Sequence, residues 1–501
     1  MAKTTKRVVQ QFVVLPTRGL RATQPHSSPR VANFLLSLNQ TLVAPKMAAP
    51  QGIEHLIEKM RVLDSIHEDG AKLVEMLPDD VSALRAANPG LRIVPVVYYY
   101  PAVAPRRAVA TAVARVNAAK SISIRIVSAA NQSPIAGVTV VAFTDFANKA
   151  GAEGVTNAKG QVSLALGAAK KKIERLYLYA TSGFWNGLQQ NVTLKTGAKF
   201  QLLKIDLGYT DELKFIYPNV ALTDGTGLTV GVVDTGIANH PDLTIVGGQN
   251  TVVGENPSDF GDNGEGHGTH VGGIIAGHGT PPHGVRGIAP SVKLRSYRVF
   301  GKGAKGATNY AIAKGVDAAV QDQCDLINMS LGGGAADEAT KAAVADARAA
   351  GSLVIVAAGN DGRQPVSFPA SDPLSIAVSA LGRKGTYPAG TAEVGDEMAP
   401  LATSDPKYFI AAFSNVGLEI AFTGPGVGII STFPNGYAVM DGTSMACPAV
   451  TGAAARMLAG QKQILGMPRN SARSDALAQF LMQAAKTLGL GTTFEGRGLL
   501  S

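Results

Sequence analysis

Four short stretches of this chain carry the residue types that acyl-transfer chemistry needs. Asp234 closes the apolar run LTVGVVD and is followed by Thr235-Gly236. His267 stands in GHGTHV, with His270 one helical turn further on. Ser444 stands in GTSMACP, ahead of the apolar run AVTGAAARMLAG, and Asn360 ends the run AAGN. A serine hydroxyl becomes an effective nucleophile when an imidazole takes its proton and a carboxylate holds that imidazole in one tautomer. A side-chain amide at a strand end can donate to the oxyanion that forms.

Each stretch alone reads in more than one way. Asp-Thr-Gly also marks peptidases that share a proton between two carboxylates, but no second such triplet occurs here. His267 and His270 suggest a metal pair, yet zinc wants three or four ligands and no H-E-x-x-H pattern is present. His270 therefore reads as a packed neighbour, and no metal site is assigned. A serine at a helix start is an N-cap by default, and a nucleophile favours the same place because the positive helix end stabilises developing negative charge. Asn360 either closes a turn or donates to an oxyanion.

The elements that must position these residues lie in residues 207–501. Apolar runs at 228–233, 293–299, 326–330 and 353–358 alternate with helical patterns at 269–276, 310–320 and 336–350. That alternation predicts βαβ units and an α/β fold with a doubly wound, mostly parallel sheet. Ligands bind such sheets beyond the C-terminal ends of their strands. Asp234 and Asn360 stand there.

VVDTG, GHGTHV, MSLGG, AAGN and GTSMA occur in that order over most of residues 215–501. In these motifs the chain resembles the subtilisin-like serine peptidases. The resemblance implies an endopeptidase with Ser444 as nucleophile, His267 as general base and acid, and Asp234 orienting the imidazole. Asn360 and the Ser444 backbone N–H would bind the oxyanion. Ser330, Leu331, Gly332 and Gly333 would form the edge on which an extended peptide adds itself as a strand. Gly359, Asp361 and Ser367 would surround a broad pocket for the large or apolar side chain before the cut. No cofactor is needed for catalysis, and a structural calcium at Asp242 is the one metal the resemblance suggests, although the facing loop GHGTPPHGV lacks asparagine-rich ligands. Cys447-Pro448-Ala449 stands where the family has a small residue and Pro-His; Cys447 reads as a small buried side chain. Residues 382–409 read as a polar surface loop.

Two units precede this domain. Residues 1–115 combine a strand-like FVVLP, a Pro/Ser-rich loop, a helix over 53–66, a short helix after Leu77-Pro78 and an apolar strand over 91–100. They resemble an inhibitory α+β prodomain that would act as an intramolecular inhibitor. In residues 116–206 the apolar period becomes two, as in Ile122, Ile124 and Ile126, which predicts a small β-sandwich. SPIAGVTVVAF and TNAKGQV resemble transthyretin-like or carboxypeptidase-regulatory modules, and Lys170-Lys171-Lys172 reads as a solvated turn. A self-cut is expected within residues 102–115 or 207–217, the second favoured because the family cuts next to its catalytic domain. The competing class is an inactive or permanently inhibited scaffold that binds a partner; an intact triad with Asn360 favours the active enzyme.

A net charge of +9 raises a nucleic-acid role, but no run of five basic residues occurs, so protein or peptide substrates are the expected partners. Two cysteines cannot build a disulfide framework. The first twenty residues hold neither a leader-length nor a membrane-length apolar stretch. The expectation is a chain without a membrane span, cytoplasmic or exported by a non-standard route.

Overall fold

The computed structural model describes residues 8–22, 28–43, 60–112, 121–168 and 170–501. The largest sheet runs Ile245–Asn250, Lys293–Arg298, Thr229–Asp234, Leu326–Met329, Leu353–Ala357 and Ile376–Arg383, with neighbours parallel throughout. Ile376–Arg383 also carries the parallel strand Ile420–Pro425 and the antiparallel strand Tyr408–Ile410. Side chains alternate between two apolar faces, as a sheet covered on both sides requires. Val230, Val232 and Ile355 pack with the helices His267–Ala276 and Thr443–Leu458. Val233, Val354 and Val356 pack with Asn309–Gln321 and Glu338–Ala349. This is the α/β architecture that the alternating sequence pattern predicts.

The N-terminal residues form an antiparallel sheet in the order Arg61–Ser65, Lys72–Met76, Gln10–Leu15, Arg92–Pro95. One face packs Phe12 and Val14 against Phe34, Leu35 and Leu38 of the helix Pro29–Val43 and against Leu84 of the helix Asp80–Ala87. The other packs Val13, Leu15 and Leu73 onto the helices Asn309–Gln321 and Glu338–Ala349. The expected helix over 53–66 is corrected in part: Arg61–Ser65 is a strand, and residues 53–59 lie outside the described ones. The expected strand over 91–100 breaks into Arg92–Pro95 and Tyr98–Pro101, which belong to different sheets.

Two further sheets enclose Ile122, Ile124, Ile126, Val140, Leu164, Leu176 and Leu178. One has three strands centred on Ser121–Ser128, the other five, including Thr139–Asp145 and Lys170–Tyr179. Lys170–Lys172 are not a turn; they begin a strand paired with Gly187–Lys195. Residues 382–409 are likewise not a free surface loop. They bridge Gly187 through Thr391, take the Leu188 N–H on Gly390 and bury Tyr387 and Glu393. Main-chain contacts of this segment thus join it to the strand Gly187–Lys195.

Candidate active site

Asp234, His267, Asn360 and Ser444 come from four separate elements and are all buried. Asp234 ends its strand, His267 opens one helix and Ser444 is the second residue of another. His267 Nδ1 lies 2.7 Å from Asp234 Oδ1. A carboxylate only accepts, so Nδ1 carries the proton and Nε2 is left as a proton acceptor. Nε2 is buried without a partner among the described residues. Ser444 Oγ donates to the carbonyl of Ser330 at 2.9 Å. The helix of Ser444 is capped by Gly442 with no side-chain hydrogen bond, so Ser444 is not an N-cap. A Cβ on Gly442, at φ +149°, would come within 2.7 Å of the Ala102 carbonyl, which explains a glycine beside the serine.

The cleft at Ser444 holds the chain's own residues 98–104. Tyr98–Pro101 pairs antiparallel with Leu331–Gly332 on one side and Ala307–Thr308 on the other. The Ala102 N–H donates to Ser330 O at 3.0 Å, and the Ser444 N–H donates to Ala102 O at 3.0 Å. Beyond this carbonyl the chain continues, with the Ala104 N–H on Asp441 O at 2.8 Å. Asn360 Oδ1 accepts from the Thr443 N–H at 2.9 Å, while its Nδ2 is buried with no partner among the described residues. Residues 207–217, the favoured cut region, are not extended. Glu212–Ile216 is a helix with Asp211, Glu212 and Leu213 buried, and Asp211 is tied to the Lys214 and Ile430 N–H groups. A helical backbone has no free edge to offer the cleft.

The model of the subtilase family matches residues 225–498. The chain belongs to that family. It is 40% identical to subtilisin DY of Bacillus licheniformis over 240 residues, 47% of this chain and 77% of that protein. It is 39% identical to alkaline elastase YaB of Bacillus sp. strain YaB over 280 residues, 55% of this chain and 64% of that protein. To subtilisin BL of Lederbergia lenta it is 37% identical over 279 residues, 55% of this chain and 90% of that protein. This subtilase is a serine endopeptidase acting on protein substrates, and its catalysis requires no cofactor. The cytoplasmic expectation is corrected by these relatives, because subtilisins are secreted extracellular proteases. No helix among the described residues is long and apolar enough to cross a membrane.

Of the residues expected to bind substrate, Ser330, Leu331 and Gly332 lie along the chain's own strand in the cleft. Gly333 does not pair with it; its N–H turns to Phe368 O. At Gly359, with φ +106°, a Cβ would stand 2.4 Å from Ser367 Oγ, so these two close one wall. Asn415 Nδ2, which sequence reasoning missed, donates to both Ser367 Oγ and Asp361 Oδ2 and fixes that wall. His270 Nε2 faces the carbonyls of Ile429 and Ala438 at 3.2 Å, and burial lowers its pKa to about 3, so it packs as a neutral ring. Cys447 is fully buried on Asn328 Oδ1, and burial pushes its thiol far up. Asp242 Oδ2 accepts from the Val285 N–H and the Tyr437 hydroxyl. A carboxylate so committed, without a cluster of further acidic ligands among the described residues, does not fit calcium's six to eight oxygens.

Past Ala104 the chain runs into a cavity of about 350 Å³ between the β-sheets of residues 121–202 and the protease domain, walled by Tyr177, Tyr179, Asp396 and Asp441. Burial, and then repulsion from Asp441, raise the Asp396 carboxyl from 3.8 to about 8, with Arg107 opposing. The native state therefore keeps a proton that the unfolded chain releases near pH 4. Protons bound in excess by the native state make stability fall as pH rises, here between about 4 and 8. Asp396→Asn should flatten the melting temperature of Ser444→Ala protein across that range. A profile parallel to that of the parent would remove Asp396 from this role.

Proposed function

We propose that Asp234, His267, Ser444 and Asn360 are the working residues of this endopeptidase, and that the chain is a zymogen that cuts itself between Ala102 and Val103. The single observation that carries this reading is the Ala102 carbonyl on the Ser444 N–H, just past the strand Tyr98–Pro101 and within a continuous chain. In the reaction Ser444 Oγ swings from Ser330 O to the Ala102 carbonyl carbon, and His267 Nε2 takes its proton. The oxyanion is held by the Ser444 N–H and Asn360 Nδ2. Collapse breaks the Ala102–Val103 bond, and His267 returns the proton to the Val103 amine. Water then releases Ala102 as a carboxylate by the same route.

Before the cut, residues 8–101 act as the intramolecular inhibitor, their last strand filling the cleft and their sheet seated on Asn309–Gln321 and Glu338–Ala349. The polar contacts across that seat, the ion pairs Lys314–Asp64 and Arg92–Glu338 and the His67–Asp317 contact, are partly exposed and contribute little beyond orientation. The cut at this bond leaves the β-sandwich on the enzyme, with Trp185 buried in the protease core and stacked edge-on to Tyr209.

Intact-mass measurement tests the reading. Wild-type protein should yield a fragment beginning at Val103 and reaching the C-terminus, which Ser444→Ala protein lacks. A fragment beginning within residues 208–218 would move the cut to the other side of the sandwich. Full-length masses for both proteins would end self-processing as an explanation.

A further inference from the structure

Tyr99 lies three residues before Ala102 on the strand in the cleft. Tyr98 and Tyr100 are 52% and 53% exposed, whereas Tyr99 is 0% exposed, so the strand sends this one ring inward. Its hydroxyl lies 2.5 Å from Asp337 Oδ2 and 2.7 Å from the Ala335 carbonyl, two acceptors that share its one proton.

The two oxygens of Asp337 do different work. Oδ1 belongs to the fold: it accepts from the Ala339 and Thr340 N–H groups at the start of Glu338–Ala349 and from Asn309 Nδ2. Oδ2 faces the Tyr99 hydroxyl. The walls fit a flat ring. A Cβ on Gly334 would stand 2.5 Å from the Tyr99 ring, and the Phe368 ring lies 6.0 Å away at 44°. Leu331 closes the same apolar cluster.

We propose that Asp337 makes the fourth residue before the cut a tyrosine-selecting position, so that this subtilase prefers protein substrates with a phenol there. The proposal rests on the reading that Ala102–Val103 is the bond presented to Ser444. A phenylalanine fills the same walls but leaves Oδ2 buried and unpaired. Sites built to hydrogen-bond a substrate hydroxyl reject the analogue without it, because the buried acceptor is left unpaired. A buried acceptor also disfavours leucine, which offers no donor.

The test uses internally quenched decapeptides with the sequence of residues 97–106 and Tyr, Phe, Leu or Lys at the place of Tyr99. They are cleaved by the purified full-length chain after it has been allowed to process itself. Ratios of kcat/KM between peptides do not depend on the active fraction. The Tyr peptide should exceed each of the others by about 10–100-fold, the loss expected when a buried charged acceptor forfeits its one hydrogen-bond donor. Asp337→Ser keeps an oxygen to cap Ala339 and Thr340 but withdraws the one that meets the phenol, and should bring the Tyr-to-Phe ratio toward one. Should that variant fail to fold, the peptide series on the unchanged chain still decides. Equal rates for Tyr and Phe, or faster cleavage of the Leu or Lys peptide, with products still cut at Ala-Val, overturn the proposal and leave the self-cut standing. Cleavage at another bond, or casein digestion without cleavage of any peptide, overturns the register on which both readings rest.

Discussion

Replacement of Ser444 by alanine is expected to lower peptide hydrolysis by about 10⁶-fold, the loss found when subtilisin itself is deprived of its serine. The residual rate would come from the oxyanion donors and from binding alone. The fold should survive. Ser444 Oγ makes one hydrogen bond, to Ser330 O, and that carbonyl keeps the Ala102 N–H. Because Gly442 rather than Ser444 stands at the cap of Thr443–Leu458, no helix cap is lost. The expected cost is about 1 kcal/mol, that of one ordinary hydrogen bond. Casein digestion and a thermal melt check the two halves separately. Digestion at the parental rate would remove Ser444 from the nucleophile's role. A collapsed melt would show that its hydroxyl is structural.

The sheet of the protease domain was legible because each strand is a local apolar run and each helix follows it with its own period. The site was legible for a related reason. Asp234, His267, Asn360 and Ser444 stand at strand ends or helix starts, and short motifs mark those places. What escaped the sequence is long-range. Nothing near Ala102 says that its carbonyl meets the Ser444 N–H across more than three hundred residues, and the run VYYYPA reads as an ordinary strand. Asp337 read as part of a helix because its cap and its phenol contact use different oxygens of one carboxylate, and only the first has a local signature. Residues 382–409 misled through composition: Glu393 is acidic yet buried and Asp396 is acidic yet half-buried, so polarity was a poor guide to exposure. In the N-terminal sheet, Arg61–Ser65 carries the residues RVLDS, which have neither strict alternation nor strong β-branching, and pairing with Lys72–Met76 decides its conformation.

Asn360→Ala should lower kcat by about 10²–10³ with little change in KM, the magnitude known for subtilisin's own amide donor. The geometry says why the loss should fall on kcat. The Thr443 N–H can only donate, so the Asn360 atom that meets it is the carbonyl oxygen, and Nδ2 points the other way. Nδ2 is buried and unpartnered even though the Ala102 carbonyl already occupies the Ser444 N–H. On the proposed reading, one donor serves the ground state and the second is held in reserve for an oxygen that gains charge and moves. An interaction made only in the transition state accelerates the chemical step without tightening substrate binding. The alanine variant also strips the Thr443 N–H of its acceptor, which could loosen the turn that carries Ser444. Asn360→Asp separates the two effects: it keeps the oxygen for Thr443, removes the donor and sets a negative charge beside the developing oxyanion. If donation is the role of Asn360, the aspartate variant should be at least as slow as the alanine variant while melting closer to the parent. Recovery of kcat in Asn360→Asp would instead make the bond to Thr443 the whole contribution of this residue, and a rise in KM at constant kcat in the alanine variant would make Asn360 a ground-state binding residue.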